Sequence, residues 1–381
     1  MAKKIEMCSC YVPDEIIFQL LLLLPVQSLV RFKSVCKSWR SIISDPQFIE
    51  THTKQNSSLE NTLLVVERDN KKFIENLYLI NTPTSTQELV TQTKVCLPPQ
   101  FGGKIRFVDH CNGLVCLSDK WLDVIFLWNP STKQYKILPK KPKRETLIPM
   151  CLGFGFDSIS NDYKVLSFSL LPVSQDGLDR YVPKAEMYSA NADSWVEIEV
   201  PPTFKTSYIF YSESFHIKIG GVIYLELDGL DDILWFDLHN EASGVHMFPN
   251  SQTTHRKSNI FDFRGSVAAI FTSTGNGGES VYSIWALLDD GCGKVSWTKK
   301  FNLAPDLDFN KTWVDCFLGS GHFVTLNGVD ECIFYDYLEK KEIKVRLQVA
   351  KAVEKQQTST FKRVVKYTET LVSLQGFEQL K

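Results

Sequence analysis

Five times between Leu127 and Val345 the chain repeats one pattern: an aromatic strand, a polar turn, then an amphipathic strand. Leu127-Trp128-Asn129-Pro130-Ser131-Thr132 leads to Tyr135-Lys136-Ile137-Leu138-Pro139, and Met187-Tyr188-Ser189 leads to Ser194-Trp195-Val196-Glu197-Ile198. Leu234-Trp235-Phe236-Asp237, Ile284-Trp285-Ala286 and Phe334-Tyr335-Asp336 open the other three units. The anchors Trp128, Tyr188, Phe236, Trp285 and Tyr335 recur at roughly 50-residue spacing, with a longer first interval that places an insertion near Val173 to Pro183. One such unit is a small sheet with an apolar face it cannot bury alone. Copies set around an axis cover one another, which predicts a β-propeller-like domain over residues 62–375 with about six blades. The run from Phe361 to Leu374 reads as a strand that closes the ring, paired near Leu63. An open antiparallel sandwich is the alternative.

Composition agrees with strands in the larger part of the chain: 25 Phe, 13 Tyr and 8 Trp against only 5 Met. With 44% hydrophobic and 23% charged residues, a core can form without metal or disulfide staples. A formal net charge of −2 points to neither nucleic acid nor an anionic membrane as partner. The 10 cysteines form no Cys-x-x-Cys pair and accompany no histidines at zinc-ligand spacing, so no metal or other cofactor is expected. They read as free thiols, many of them buried, in a reducing compartment: the cytoplasm, with the nucleus as a second location.

The first 55 residues differ in kind. Val12-Pro13-Asp14-Glu15 opens a helix, with proline in the first turn and acids at the positive end of the dipole. Ile16 to Leu24 is then apolar on almost every side until Pro25 stops the helix. The run is too short to span a bilayer and has no basic segment before it, so it reads neither as an anchor nor as a signal peptide. A helix apolar all round must be covered all round, and a domain this small cannot do that from within, so a partner is expected on the outer face. A second helix is expected over Val26 to Val35. A third, Cys36 to Ser44, places Cys36, Trp39, Ile42 and Ile43 on one face, with Lys33, Lys37 and Arg40 solvated, and ends at Asp45-Pro46. The polar stretch 55–61 reads as a linker.

Val12-Pro13-Asp14-Glu15-Ile16, Leu24-Pro25-Val26-Gln27-Ser28-Leu29, Val35-Cys36-Lys37-Ser38-Trp39-Arg40 and Asp45-Pro46-Gln47-Phe48 together resemble the F-box motif in order and spacing, with Val12 where that family usually has leucine. The resemblance implies binding to a Skp-type adaptor and, through it, to a cullin. By position it assigns Pro13, Ile16, Leu20, Leu24, Pro25, Leu29, Val35 and Trp39 as contacts or their support. The remainder resembles the F-box-associated domain of plant F-box proteins. Cys111-Asn112-Gly113-Leu114-Val115-Cys116, Leu127 to Thr132, Gly153-Phe154-Gly155-Phe156-Asp157, Asn161 to Val165 and Lys366 to Leu374 carry that likeness. Within that family the chain looks most like the S-locus F-box proteins of pollen, which recognise a secreted style ribonuclease in self-incompatibility.

The expected architecture is therefore α+β and multidomain: a three-helix F-box over 8–54, a linker over 55–61, and an all-β, propeller-like, kelch-like domain over 62–375. The expected role is a non-catalytic substrate-recognition adaptor of an SCF-type ubiquitin ligase, with a protein target on loops near Gln175–Arg180, Leu230–Asp232, Gln252–Lys257 and Pro305–Lys311. An F-box scaffold working outside ubiquitination and a carbohydrate-binding or enzymatic propeller with a helical cap are the alternatives.

Other motifs carry less. Gly153-Phe154-Gly155 lacks a third glycine and a following helix, so it reads as a strand that approaches its neighbour closely. Lys140 to Arg144 reads as a solvated loop. His110 beside Cys111 is no nucleophilic pair, because adjacent strand residues point to opposite faces.

Overall fold

The computed structural model describes residues 12–59, 62–69, 74–81, 92–95, 105–119, 121–141, 147–175, 178–200, 215–226, 232–249, 254–256, 260–274, 280–289, 295–303, 313–327, 331–346 and 360–379. Four helices, α1 (Asp14–Leu22), α2 (Val26–Phe32), α3 (Lys37–Ser44) and α4 (Pro46–Leu59), precede six antiparallel sheets. Two expectations are corrected here. Three helices become four, because Asp45 caps a further helix: its Oδ1 accepts the Gln47 and Phe48 amides at 2.9 and 3.2 Å. The stretch expected as a linker is helical as far as Leu59. The expected F-box start at residue 8 lies outside the described residues.

The six sheets are the blades of a propeller, and the ring closes as its sequence implied. The strand Thr62–Asp69 pairs on one side with Ile74–Asn81 and on the other with Thr360–Lys366, in the register Leu63↔Lys366 and Val65↔Val364. The core is a set of wedges between neighbouring blades. Leu127, Phe154 and Tyr188 fill one, Phe168, Ile223 and Phe236 the next, and Leu63, Val324 and Val364 the one across the closure. Each recurring unit supplies the third and fourth strands of a blade. Trp128, Tyr188, Phe236 and Tyr335 are fully buried; Trp285 is half-buried, and its neighbour Ile284 is the buried residue of that strand.

The turns share one geometry. Asn129, Asp157, Asp237 and Asp336 each accept, through Oδ1, the amides two and three residues on. The fourth residue on (Lys133, Asn161, Glu241, Lys340) then takes a positive φ between 51° and 57°. This explains why Asn or Asp ends so many of the aromatic strands. Gly155 has a different task. A Cβ there would lie 2.6 Å from Leu238 Cδ1, so the expected close approach is the wedge against the next blade.

The expected insertion near Val173–Pro183 is a lengthening of existing strands. Leu178–Ser189 pairs along its whole length with Lys164 to Gln175 of the strand Asp162–Gln175, while the neighbouring strand begins at Ile148, opposite Leu170. Among the described residues these two strands continue alone from Leu171 and Val182 outward, as a two-stranded arm. The domain also continues beyond residue 375, since Glu378 and Gln379 pair with Tyr135 and Gln134 as a further strand of the second blade.

Charged side chains of the innermost strands tie the ring across its axis. Lys218 donates to Asp109 at 2.9 Å and to the His110 carbonyl, and Arg363 donates to the His216 carbonyl at 3.1 Å. Burial opposes ionisation of Asp109, but Lys218 and His216 outweigh it and hold the carboxyl well below its usual range. Burial lowers His110 to about 3 and raises the Cys111 thiol to about 11, so this His-Cys neighbourhood has no activated nucleophile. Asp315 accepts the Val364 amide of the closing strand at 3.3 Å, and burial pushes its carboxyl up to about 7.

Removing the ammonium in Lys218→Met leaves Asp109 buried without its main partner and should cost about 2–3 kcal/mol in urea unfolding at neutral pH. Asp315 acts with the opposite pH sense. Its folded pKa of about 7 lies above the ordinary 3.8, so its contribution to stability is complete below the latter and lost as pH rises through the former. Asp315→Asn should therefore gain on the wild type, by an order of 1 kcal/mol, between about pH 5 and about pH 8. Parallel urea midpoints for the two proteins at both pH values would show that Asp315 does not titrate this way.

Candidate docking surface

The helical domain has a closed inner side and an open outer one. Pro13 caps α1 with an extended backbone, and Asp14 and Glu15 occupy its first turn. On the inner side Leu21, Leu22, Val26, Leu29, Ile43 and Phe48 form one buried cluster, with Phe18 edge-on to Phe48 at 5.2 Å. Leu371, from the C-terminal end of the chain, is buried in the same cluster. His52 closes the end of α1: its Nε2 lies 2.9 Å from the Leu24 carbonyl, and Asn56 reaches its Nδ1 at 3.3 Å. That pairing assigns the Nε2–H tautomer, and burial lowers the pKa of the ring, so it stays neutral.

The outer side of α1 is a stripe of uncovered apolar residues. Ile16 is 50% exposed, Leu20 56% and Leu23 70%, at helical positions i, i+4 and i+7. Val12 precedes the stripe, and Val35, at the corner between α2 and α3, is also exposed. Covering the open half of each of these leucine and isoleucine side chains would contribute about 1 kcal/mol apiece.

The eight residues assigned by resemblance thus divide. Pro13, Ile16, Leu20, Pro25 and Val35 are exposed, and Leu24 and Trp39 are half-buried. Trp39 leans on Phe32 with ring centroids 5.2 Å apart. Leu29 is fully buried in the core behind that surface. Cys36, expected on one face of α3 with Trp39, Ile42 and Ile43, is exposed at its N-cap, where Sγ accepts the Trp39 amide at 3.5 Å. Lys33, expected in solvent, is half-buried, and burial with nearby Arg40 lowers its pKa. The residue-by-residue reading missed Leu23 and Val12. The i, i+4, i+7 spacing from Ile16 would have found Leu23, whereas nothing near the N-terminus announces Leu371.

Comparison with known proteins now identifies the two parts. Residues 61–370 match the F-box associated beta propeller domain, and residues 11–51 match the F-box domain. The chain belongs to the F-box proteins that carry an F-box-associated propeller. The F-box protein CPR1 of Arabidopsis thaliana is 26% identical over 311 residues, covering 77% of this chain and 73% of that protein. Another Arabidopsis F-box protein is 30% identical over 187 residues, covering 48% of this chain and 46% of its own. Against the first relatives compared, the chain spans 47% to 60% of their length. Among solved structures, apo AztD from Citrobacter koseri aligns over 82% of this chain and all of its own, at 10% identity and a TM-score of 0.35. None of the described helices is long and apolar enough to cross a membrane.

The F-box core and its open stripe should respond differently to substitution. Leu29→Ala is expected to cost about 2–4 kcal/mol, as a cavity in a packed core does, while Leu20→Asp should stay within about 0.5 kcal/mol of the wild type. Thermal unfolding followed by circular dichroism checks both.

Proposed function

We propose that this F-box protein is the substrate-recognition subunit of an SCF-type ubiquitin ligase, with α1 docking on a Skp-type adaptor that leads to a cullin. The observation that carries this reading is the stripe Ile16–Leu20–Leu23, left open while the chain's own Leu371 completes the core behind it. Pro13, Leu24, Pro25, Val35 and Trp39 frame the contact, with Leu29 as internal support. Ubiquitin transfer takes place on other subunits, so this chain contributes by positioning a target. Its axial acids are consistent with a non-catalytic role: Asp109 is held by Lys218, and Asp315 by the closing strand. The expected compartment is the cytoplasm, with the nucleus second.

Strand parity indicates which end of the ring meets the target. In an antiparallel meander, first and third turns lie at one end of the blade and second turns at the other. The first and third turns of the second blade, at Gly113 and Asn129, meet the segment that enters the F-box. The arm beyond Leu171 and Val182 grows from a second turn, so it projects from the end away from the F-box. The strand ends flanking Gln175–Arg180, Leu230–Asp232 and Gln252–Lys257 share that parity. Pro305–Lys311 lies outside the described residues. We infer that the far end receives the target protein. The likeness to pollen S-locus proteins makes a style ribonuclease one candidate, to be tested as a purified ligand beside unrelated proteins.

The test is calorimetric binding of the full chain to a recombinant plant Skp-type adaptor. Leu20→Asp and Ile16→Asp should each weaken binding at least a hundredfold with unchanged circular dichroism, a loss of about 2.7 kcal/mol. Binding that survives both changes would remove α1 from the interface. Recovery of cullin with the wild-type chain from plant extract separates a ligase subunit from a scaffold.

A further inference from the structure

After closing the ring at Lys366, the chain passes over the turn end of the second blade. Its contacts there alternate between the two domains. The Tyr367 hydroxyl donates to the Gly113 carbonyl at 3.0 Å. Asn129 donates to the carbonyls of Thr370 and Val372 at 3.0 and 2.9 Å, while its own Oδ1 holds the turn beneath. Between those two carbonyls Leu371 points the other way and is buried among the F-box side chains. The Thr370 and Thr53 hydroxyls meet at 2.9 Å, so α4 is held at the same place. Beyond it, Lys136 donates to the Gln375 carbonyl at 3.0 Å, Tyr135 to Glu378 at 2.9 Å, and the strand Glu378–Gln379 pins the end. Gly113 admits the passage: with φ +78° in an Asn-Gly turn, a Cβ there would sit 2.4 Å from the Thr368 carbonyl oxygen.

We propose that this C-terminal segment is a strap that joins the F-box and the propeller into one rigid body, and that Asn129, Thr370 and Leu371 are positioning residues for ubiquitin transfer. The inference rests on the adaptor reading above and adds to it how the two functional ends are held at a fixed angle. Asn129 grips the strap from the propeller side, and Leu371 grips the F-box from the strap side. Neither touches the stripe on α1, so releasing the strap leaves adaptor binding intact while the direction from adaptor to target becomes variable. A presented lysine then spends only part of its time within reach of the charged conjugating enzyme, which reduces its effective concentration there.

The test measures the distance between nitroxide labels carried on p-acetylphenylalanine at Arg31, on α2, and at Lys299, on the outer strand of the fifth blade. Pulsed electron resonance on the full wild-type chain should give one narrow distribution. Asn129→Ala and Leu371→Asp should each broaden it at least twofold, while Leu371→Met restores the wild-type width. Asn129→Ala also removes the acceptor of its own turn, so Asn129→Asp, which keeps that Oδ1 acceptor and loses only the Nδ2 donor to the strap, should broaden the distribution as well, and cooperative unfolding of its propeller close to the wild-type temperature separates release of the strap from loss of fold. A broad wild-type distribution, or an unchanged width in Asn129→Ala, overturns the inference. If Leu371→Asp unfolds the F-box, Asn129→Ala decides alone, since it lies outside that core. Calorimetry on the same proteins with the recombinant Skp-type adaptor keeps the two claims apart. Loss of wild-type binding defeats the adaptor reading and leaves the distances standing; an unaltered width with normal binding defeats only the strap.

Discussion

The pairing of Thr62–Asp69 with Thr360–Lys366 is the interaction on which the rest of the molecule depends. Each blade presents apolar side chains on both faces, and each face is covered only by the next blade. A row of such sheets would end in two uncovered faces. Joining a strand from near the start to one from near the end in a single sheet turns the row into a ring, and every apolar face becomes the wall of a wedge. The closure also brings charges from distant parts of the chain to the axis, where Asp109, Lys218 and Arg363 link separate blades. Such a hub is tolerable only because its charges are paired or hydrogen-bonded; an isolated one would be expelled or neutralised.

Closure decides the fate of the chain's end as well. The last blade strand finishes at Lys366 beside the second blade, so the C-terminal segment starts next to Gly113 and Asn129 and under α4. A short stretch is then enough to fill the inner face of the F-box with Leu371. The four helices are thus closed on one side by the chain itself, while the apolar stripe on α1 stays open. That asymmetry singles out the candidate docking surface: the stripe lies on the side of α1 away from the core that Leu371 completes, and the arm of the third blade projects from the end of the ring away from the F-box.

Much of this was legible in the order of residues. The 3.6-residue period and prolines of the N-terminal segment, and the two-residue period between turn formers afterwards, mark where helices give way to strands. The recurrence of Trp128, Tyr188, Phe236 and Tyr335 mirrors their shared place on third strands, and Asn or Asp after the anchor mirrors a side chain needed to hold the turn. Where the reading went astray, long-range packing had outweighed local signal. Gln55 to Leu59 is polar and turn-rich, yet Asp45 caps a helix that runs through it while His52 and Thr53 fasten its inner face. Leu29 has the same local character as Leu20, and only the closed core separates a support from an exposed position.

The amino-acid order alone determined the periodicities: a proline-punctuated apolar helix, aromatic strands at a repeating interval, and glycine, asparagine or aspartate at many of the tight turns. These are properties of neighbouring residues, set by backbone sterics and by which side chains share a face, and they specify an F-box followed by blades. Tertiary structure decided which apolar side chains remain uncovered, which end of the ring faces the helices, and where the final residues dock. Those outcomes depend on residues such as Thr53 and Thr370, or Asp109 and Lys218, that are far apart in the chain and acquire a relation only when the ring closes and excludes water between them.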